Sequence, residues 1–288
     1  MTYVTTQDKQ RLFTKISGTG RPVVLIHGWP LSADSWNAQA TELVNNGFQV
    51  IAYDRRGFGR SDKSTTGYEY DTLADDLADV MRETEATDAT IVGFSMGGGE
   101  VARYMSRHGG HGVRQTVLVS SIVPYMLKTA DHPDGVDQSV FDGMMHAIKT
   151  DRDGFFKGFF KDFYGVGTLG GEVAQDVLDA SHDVAMQAYL KATLECVQAF
   201  AATDFRKELD AFTVPTLVMH GTSDKIVPID VTGRAAAKGI ARAEMIEIEG
   251  APHGMLVTHA DRISRELIEF LNADATTIAA KHTVHAVR

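Results

Sequence analysis

One serine in this chain is framed by glycines in the way that a nucleophile requires. Within the stretch 91–100, Gly93, Ser95 and Gly97 form the pattern Gly-x-Ser-x-Gly directly after an apolar run. The pattern is typical of a nucleophile elbow, a sharp strand-to-helix turn that exposes the serine hydroxyl above a sheet. The serine backbone is strained in such a turn, and a side chain at either glycine would collide with the neighbouring segment. Met96, which follows, would have its N–H free at a helix N-terminus to donate to an oxyanion.

A nucleophilic serine needs a base within hydrogen-bonding reach and an acid that orients this base. Asp224 follows the predicted strand 215–219, and His253 follows the predicted strand 243–248. In one known chain order the serine comes first, the acid second and the histidine third, each on a loop after its own strand. Ser95, Asp224 and His253 match this order, and we predict that they form a catalytic triad.

Other residues could fill these roles less well. His27 and His220 also follow apolar runs, but His27 precedes the serine and His220 shares a loop with Asp224. We therefore expect His27 to hydrogen-bond the oxyanion loop and His220 to have a structural role. Asp204 is expected to cap a helix or to pair with Arg206.

A second oxyanion donor is expected in the loop after the apolar run 22–26. This loop reads His27-Gly28-Trp29-Pro30, and Pro30 has no N–H to donate. Trp29 is therefore the predicted donor, held extended by the proline after it. The Trp29 ring would form a wall of the acyl pocket, or else pack in the ordinary way against a covering segment.

The elements that must position these residues alternate between strand and helix. Continuous apolar runs indicate strands that are buried on both faces, as in a parallel sheet. The sequence predicts an α/β fold with an eight-stranded, mostly parallel sheet flanked by helices. The predicted strands are 3–6, 11–16, 22–26, 48–53, 90–94, 115–120, 215–219 and 243–248. Helices are predicted after residue 32, after Asp71 or Thr72, after the elbow, and at 229–238 and 260–272.

The alternation stops between residues 124 and 210, a stretch rich in Phe, Met, Gly and Asp. We expect a helical cap here, inserted after strand 6 between two parts of the core, 1–123 and 211–273. The aromatic residues of the cap would either line the site or pack the cap onto the body. Residues 274–288 have no packing pattern and are expected to form a flexible tail.

The composition excludes several classes of function. The net charge of −10 argues against nucleic acid and anionic membranes as partners. Cys196 is the only cysteine, so no intrachain disulfide can form, and no apolar run approaches the length of a membrane helix. The first residues lack the basic start and apolar core of a secretory signal. We expect a soluble cytoplasmic protein that needs no metal and no cofactor.

Four stretches together resemble the α/β-hydrolase superfamily, and more narrowly the cofactor-free (non-haem) chloroperoxidase, perhydrolase and aryl esterase family. They are residues 27–32, 53–62, 93–100 and 251–254, and the resemblance covers about residues 1–272. It implies an esterase with a Ser-His-Asp triad and no metal or haem. Its substrate would be a small ester, and hydrogen peroxide could replace water as the acceptor, giving a peracid that oxidises halide. The resemblance also implies a homo-oligomer.

The resemblance further implies which residues bind the substrate. Besides Trp29, these are Ile122, Met126, Met144, Phe159, Phe200 and Ile226. Met126 and Met144 stand where aryl esterase relatives tend to carry Phe, and because methionine is more adaptable, short aliphatic acyl groups or lactones are open alternatives to aryl groups. Pro30 matches the relatives that resemble the better perhydrolases. A lactonase with the same triad and a ligand-binding signalling protein on this fold remain the alternative functions.

Overall fold

Eight strands form one sheet, described here from a computed structural model that covers residues 2–167 and 173–273. They are β1 (Thr2–Thr5), β2 (Arg11–Ser17), β3 (Arg21–Ile26), β4 (Phe48–Tyr53), β5 (Ala89–Phe94), β6 (Val113–Val119), β7 (Thr216–Gly221) and β8 (Ala243–Ile248). Their order in the sheet is β1-β2-β4-β3-β5-β6-β7-β8. β2 is antiparallel to β1 and β4, and all the other neighbouring strands are parallel. The predicted sheet is confirmed, whereas the tail predicted at 274–288 lies outside the described residues.

The described residues also form ten α-helices. They are α1 (Asn37–Asn45), α2 (Tyr70–Glu83), α3 (Met96–Arg107), α4 (Gln138–Thr150), α5 (Arg152–Phe163), α6 (Gln175–Gln187), α7 (Leu190–Ala202), α8 (Gly233–Gly239), α9 (Met255–Thr258) and α10 (Ala260–Asn272), with 3-10 turns at Ala33–Trp36 and Arg206–Ala211. None of these helices is long and apolar enough to cross a lipid bilayer.

Two helix starts differ from the prediction. α2 is capped by Glu69 and not by Asp71 or Thr72, and the Thr72 hydroxyl instead bonds the Glu69 carboxylate. α8 begins four residues later than predicted. Residues 229–232 form a turn in which the Thr232 hydroxyl donates to the carbonyl of Pro228 over 2.6 Å. At α8 this side-chain hydrogen bond competes with the regular helical pattern, whereas at α2 the bond between Thr72 and Glu69 joins the cap residue to the first helical turn.

The strand order explains where a site can form. The chain leaves β3 toward β4 on one side and later places β5 on the other side of β3. Right-handed crossovers in opposite directions put α1 and α2 on opposite faces of the sheet. A crevice opens at such a reversal, beyond the carboxyl ends of the two strands. The loops after β3 and β5 therefore meet there, and they carry Trp29 and Ser95.

Helices α4 to α7 lie between β6 and β7 in the chain and attach to the loops around this crevice. The indole Nε1 of Trp29 donates to the carbonyl of Thr193 in α7 over 3.1 Å. The N–H of Gly254, next to His253, donates to the carbonyl of Phe163 in α5 over 2.7 Å. The helical segment is thus joined by hydrogen bonds to two of the loops that carry predicted site residues.

Candidate active site

Ser95 lies in the turn between β5 and α3 in a backbone conformation that non-glycine residues rarely adopt. Its φ is 54° and its ψ is −118°. A Cβ at Gly93 would lie 2.5 Å from the carbonyl oxygen of Gly97, and a Cβ at Gly97 would lie 2.7 Å from that of Ile26. The collisions expected from the Gly-x-Ser-x-Gly pattern are confirmed. The strain at Ser95 persists because the surrounding backbone is packed this closely.

The structure brings Ser95, His253 and Asp224 into one chain of hydrogen bonds. His253 Nε2 lies 2.9 Å from Ser95 Oγ, and His253 Nδ1 lies 2.7 Å from Asp224 Oδ2. Both distances fit the reach that a nucleophile, its base and the orienting acid require. All three side chains are buried, and Ser95 retains only 6% of its accessible surface. These residues come from the ends of β5, β7 and β8, so no local segment contains the arrangement.

The Asp224 carboxylate is held in its charged form. Burial alone would raise its pKa, but the charge of His253 and the hydrogen bonds from His220 and His253 hold the pKa well below the usual range. Its Oδ1 also accepts the backbone N–H groups of Ile226 and Val227, each over 2.9 Å. The carboxylate is therefore fixed in orientation, with Oδ2 facing the imidazole.

Two backbone N–H groups are available on the loops beside Ser95. Met96 is the first residue of α3, where N–H groups have no partner within the helix. The N–H of Trp29 makes no hydrogen bond to any residue in 2–167 or 173–273. These two groups remain the predicted oxyanion donors.

A buried ion pair lies beneath these loops, and the sequence analysis did not predict it. Arg55 pairs with Glu100, and both side chains are at most 1% exposed. Glu100 also accepts a hydrogen bond from Tyr53 Oη over 2.7 Å, and Arg55 Nη2 donates to the carbonyl of His27 over 2.6 Å. The network joins α3 behind the serine to the loop that carries Trp29. The other two arginines of the loop after β4 also form ion pairs, Arg56 with Asp76 and Arg60 with Asp54.

The alternative candidates lie where they cannot take a proton from Ser95. His27 Nε2 accepts the N–H of Arg55 over 2.9 Å. Burial and the Arg55 charge lower the pKa of His27 well below its usual value, so the ring is neutral. His220 supports the acid from behind, with Nε2 3.0 Å from the Val227 carbonyl and 3.3 Å from Asp224 Oδ2. The expected pairing of Asp204 with Arg206 is confirmed at 2.6 Å.

A small apolar cavity of about 50 Å³ opens at Ser95 and His253. Every residue predicted to bind the substrate lines it: Trp29, Ile122, Met126, Met144, Phe159, Phe200 and Ile226. Four further lining residues were not predicted: Val136, Val140, Phe141 and Val227. Val140 and Met144 are four residues apart on α4, and this helical spacing is a signal that could have found Val140. Val136 lies in an irregular segment, where the sequence carries no such signal.

Aromatic rings hold the histidine and the indole in place. Phe94 lies against the His253 ring with centroids 5.2 Å apart, and Phe163 meets the same ring edge-on at 5.0 Å. The Trp29 indole contacts four phenylalanine rings, with ring centroids 5.4 to 6.5 Å apart: Phe155, Phe156, Phe159 and Phe200. Trp29 therefore both lines the cavity and packs against the helices over it. Among residues 2–167 and 173–273, no group of three or more potential metal ligands is suitably placed for a metal ion.

Comparisons with known proteins place the chain among α/β hydrolases. Residues 21–260 match the family model for the alpha/beta hydrolase fold. The chain is 44% identical over 274 residues to the non-heme chloroperoxidase CPO-A1 of Kitasatospora aureofaciens, covering 94% of this chain and 100% of that protein. It is 37% identical over 276 residues to the bifunctional esterase/perhydrolase DCH of Acinetobacter calcoaceticus, covering 95% and 100%. The crystal structure of bromoperoxidase from Bacillus anthracis matches with a TM-score of 0.90 at 41% identity, covering 93% and 97%.

Proposed function

The chain belongs to the α/β-hydrolase fold family and, within it, to the non-haem chloroperoxidases and esterase/perhydrolases, and from this premise we propose that it is an esterase with perhydrolase activity. It hydrolyses small carboxylic esters, and it transfers the acyl group to hydrogen peroxide when peroxide is present. The observation that supports the assignment of residues most directly is the hydrogen-bonded chain Ser95–His253–Asp224 at the end of an apolar cavity.

In the first half of the proposed reaction, Ser95 attacks the ester carbonyl. His253 Nε2, 2.9 Å from the hydroxyl, takes the proton as the bond forms and then gives it to the leaving alcohol. The N–H groups of Trp29 and Met96 would stabilise the oxyanion, and removal of one such donor typically costs about 100- to 1,000-fold in rate. Asp224 keeps the imidazole in the tautomer with the proton on Nδ1 and stabilises the imidazolium that forms.

In the second half, the acyl group leaves Ser95. Water or hydrogen peroxide enters, His253 removes its proton, and the acyl carbonyl is attacked again. Water yields the carboxylic acid, and hydrogen peroxide yields the peracid with its O–O bond intact. Both products regenerate the serine hydroxyl, so one set of residues serves both acceptors.

We propose that residues 124–210 act as a cap that selects the acyl group, on a core made of residues 1–123 and 211–273. Met126, Phe141, Met144, Phe159 and Phe200 all face the cavity from this segment. The free space is small and the lining apolar, which favours short acyl groups without charge. A lactone is a cyclic ester and would meet the same serine.

The decisive experiment supplies one ester with and without hydrogen peroxide and measures the acid and the peracid formed. We expect acid alone without peroxide, and peracid in addition when peroxide is present. Ser95→Ala should abolish both products. Its matched control is Ser120→Ala, because Ser120 is also buried, directly after β6, and its hydroxyl has no hydrogen-bond partner among the described residues. Turnover that survives in Ser95→Ala would refute the assignment of the nucleophile.

The range of substrates is tested separately. A panel of acetate, butyrate and phenylacetate esters with γ- and δ-lactones compares kcat/KM across acyl groups. Preference for the short acyl esters supports the proposed selection by the cap. A lactone rate above every open-chain ester would instead assign a lactonase.

We also propose that the protein works as a homo-oligomer in the cytoplasm. The single cysteine, Cys196, is buried and free, which is consistent with a reducing compartment. Light scattering that detects only a 31.4 kDa species would refute the assembly. Fractionation of the producing cells, with the activity recovered outside the cytosol, would refute the location.

A further inference from the structure

Two thioethers share the small cavity with the proposed nucleophile. Met126 and Met144 both line the space that Ser95 and His253 line. Met126 is 2% exposed, so solvent reaches it poorly, and Met144 is half-buried. A molecule released from Ser95 into this space therefore enters a cavity that is lined by two methionine side chains.

We propose that Met126 and Met144 are oxidation sites for the peracid that this enzyme makes, an inference that rests on the proposed perhydrolase function. The thioether sulfur attacks the terminal peroxy oxygen of the peracid. The O–O bond breaks, an S–O bond forms, and the proton of that oxygen passes to the departing carboxylate. The products are methionine sulfoxide and the carboxylic acid. The sulfur loses two electrons and the peroxy group gains them, so no other reactant is required.

The chemistry of the cavity gives this oxidation a consequence. Methionine sulfoxide is polar, whereas the original thioether is apolar and flexible. The cavity lining is otherwise built mainly from aliphatic and aromatic side chains, and its free space is only about 50 Å³. A sulfoxide oxygen there would be buried without water and would reduce the room for the acyl group. Esterase activity should therefore fall with the number of peracid turnovers, and not with the time spent in peroxide.

The chain offers matched controls for this inference. Met145 follows Met144 on α4 and is also half-buried, but it lines a separate surface groove with Lys149 and Leu190. Adjacent helical residues point about 100° apart, which is why the two side chains meet different surroundings. Met186 is 36% exposed and reports oxidation by solvent species. Peracid or peroxide in bulk solution should therefore react with Met186 and Met145 ahead of Met126.

The experiment incubates the intact protein with ester, with peroxide, and with both, each with excess free methionine as a scavenger in the solvent. Peptide mass spectrometry then measures sulfoxide at each methionine, and peracid is measured in a parallel sample without scavenger. A reactant confined beside its target acts at an effective concentration of about 1 mM or more. We therefore expect Met126 and Met144 to be oxidised at least about tenfold faster than Met145 when ester and peroxide are both present. With peroxide alone, or in Ser95→Ala with both reagents, this preference should disappear.

The possible outcomes distinguish this inference from the proposed perhydrolase function on which it rests. Peracid formation without preferential oxidation of Met126 or Met144 overturns the inference and leaves the proposed function intact. Absence of peracid overturns the proposed perhydrolysis, and the inference with it. Preferential oxidation that persists in Ser95→Ala also overturns the inference, because the oxidant would then not come from the serine.

A second measurement follows activity. The variant Met126→Leu/Met144→Leu removes both thioethers and keeps apolar side chains of similar size. Each protein is compared with its own initial esterase rate, before and after equal numbers of peracid turnovers. We expect the wild type to lose a larger fraction of its initial rate than the double variant, and Met145→Leu to behave as the wild type does. Equal fractional losses in the wild type and the double variant would overturn the inference.

Discussion

Replacement of Asp224 by asparagine tests the proposed role of the acid, and the structure determines how the new amide must orient. Oδ1 of Asp224 accepts two backbone N–H groups, those of Ile226 and Val227, which cannot be reversed. The amide oxygen will therefore occupy the Oδ1 position, and the amide NH₂ will occupy the Oδ2 position. That NH₂ faces His253 Nδ1, which lies 2.7 Å from Oδ2 in the wild type.

This orientation forces His253 into the wrong tautomer. Nδ1 must accept from the asparagine NH₂, so the ring proton moves to Nε2, the atom 2.9 Å from the Ser95 hydroxyl. Nε2 can then no longer take the serine proton. We expect kcat to fall by about 10⁴-fold, because that is the cost of this tautomer change in a comparable triad. The loss corresponds to about 5.4 kcal/mol of transition-state stabilisation.

The assay is the steady-state hydrolysis of p-nitrophenyl acetate at neutral pH, with kcat and KM determined separately. KM should change little, because Asp224 lies behind the histidine and does not line the cavity. Asp204→Asn is the matched control, since Asp204 pairs with Arg206, and its kcat should equal that of the wild type. Circular dichroism and thermal unfolding verify that the variant is folded. A folded Asp224→Asn protein with less than a tenfold loss in kcat would refute the assignment of Asp224.

Three further predictions concern stability and the acceptor. Glu100→Gln leaves the charge of Arg55 buried and unpaired, so the free energy of unfolding measured by urea titration should fall by about 3–5 kcal/mol. An unchanged midpoint of urea unfolding would contradict a structural role for the pair. Because the pKa of Asp224 is lower in the folded protein than its ordinary value of 3.8, its ionisation contributes stability above that pH, and this contribution is lost as the pH falls below it. The difference in melting temperature between wild type and Asp224→Asn should therefore narrow between about pH 5 and pH 3. A difference that widens over this range would contradict a lowered pKa of Asp224 in the folded protein. Pro30→Leu should lower the ratio of peracid to acid formed from one ester, and an equal ratio would show that Pro30 does not influence the choice of acceptor.

Local sequence patterns determined much of the fold. Apolar runs predicted the central parallel strands, because a strand buried on both faces must be apolar along its length, whereas the partly exposed strands β1, β2 and β8 are not continuously apolar. The elbow was also predictable from the Gly-x-Ser-x-Gly pattern. The turn at Ser95 is strained, and it is so tight that only glycines fit at Gly93 and Gly97. Helix starts were less predictable, as α2 and α8 show, because a single side-chain hydrogen bond can move the first turn.

The candidate site was predictable to the extent that it follows from chain order. Ser95, Asp224 and His253 each follow a strand, and parallel strands bring their carboxyl ends to one edge of the sheet. The resemblance to a family supplied the cavity residues, because their positions are scattered over 29–226 without a common period. Neither the chain order nor the resemblance predicted Val136 or the pair of Arg55 and Glu100.

Tertiary structure alone decided how these residues meet. The distance of 2.9 Å between Ser95 and His253 joins atoms that are 158 residues apart, and no local spacing can specify it. The burial of Arg55 against Glu100 likewise depends on α3 packing behind the loop after β4. Met144 and Met145 are identical in type and adjacent in the chain, yet only Met144 lines the cavity. The sequence determined which residue types were available at the ends of the strands, and the packing of helices over the sheet decided which of them face the serine.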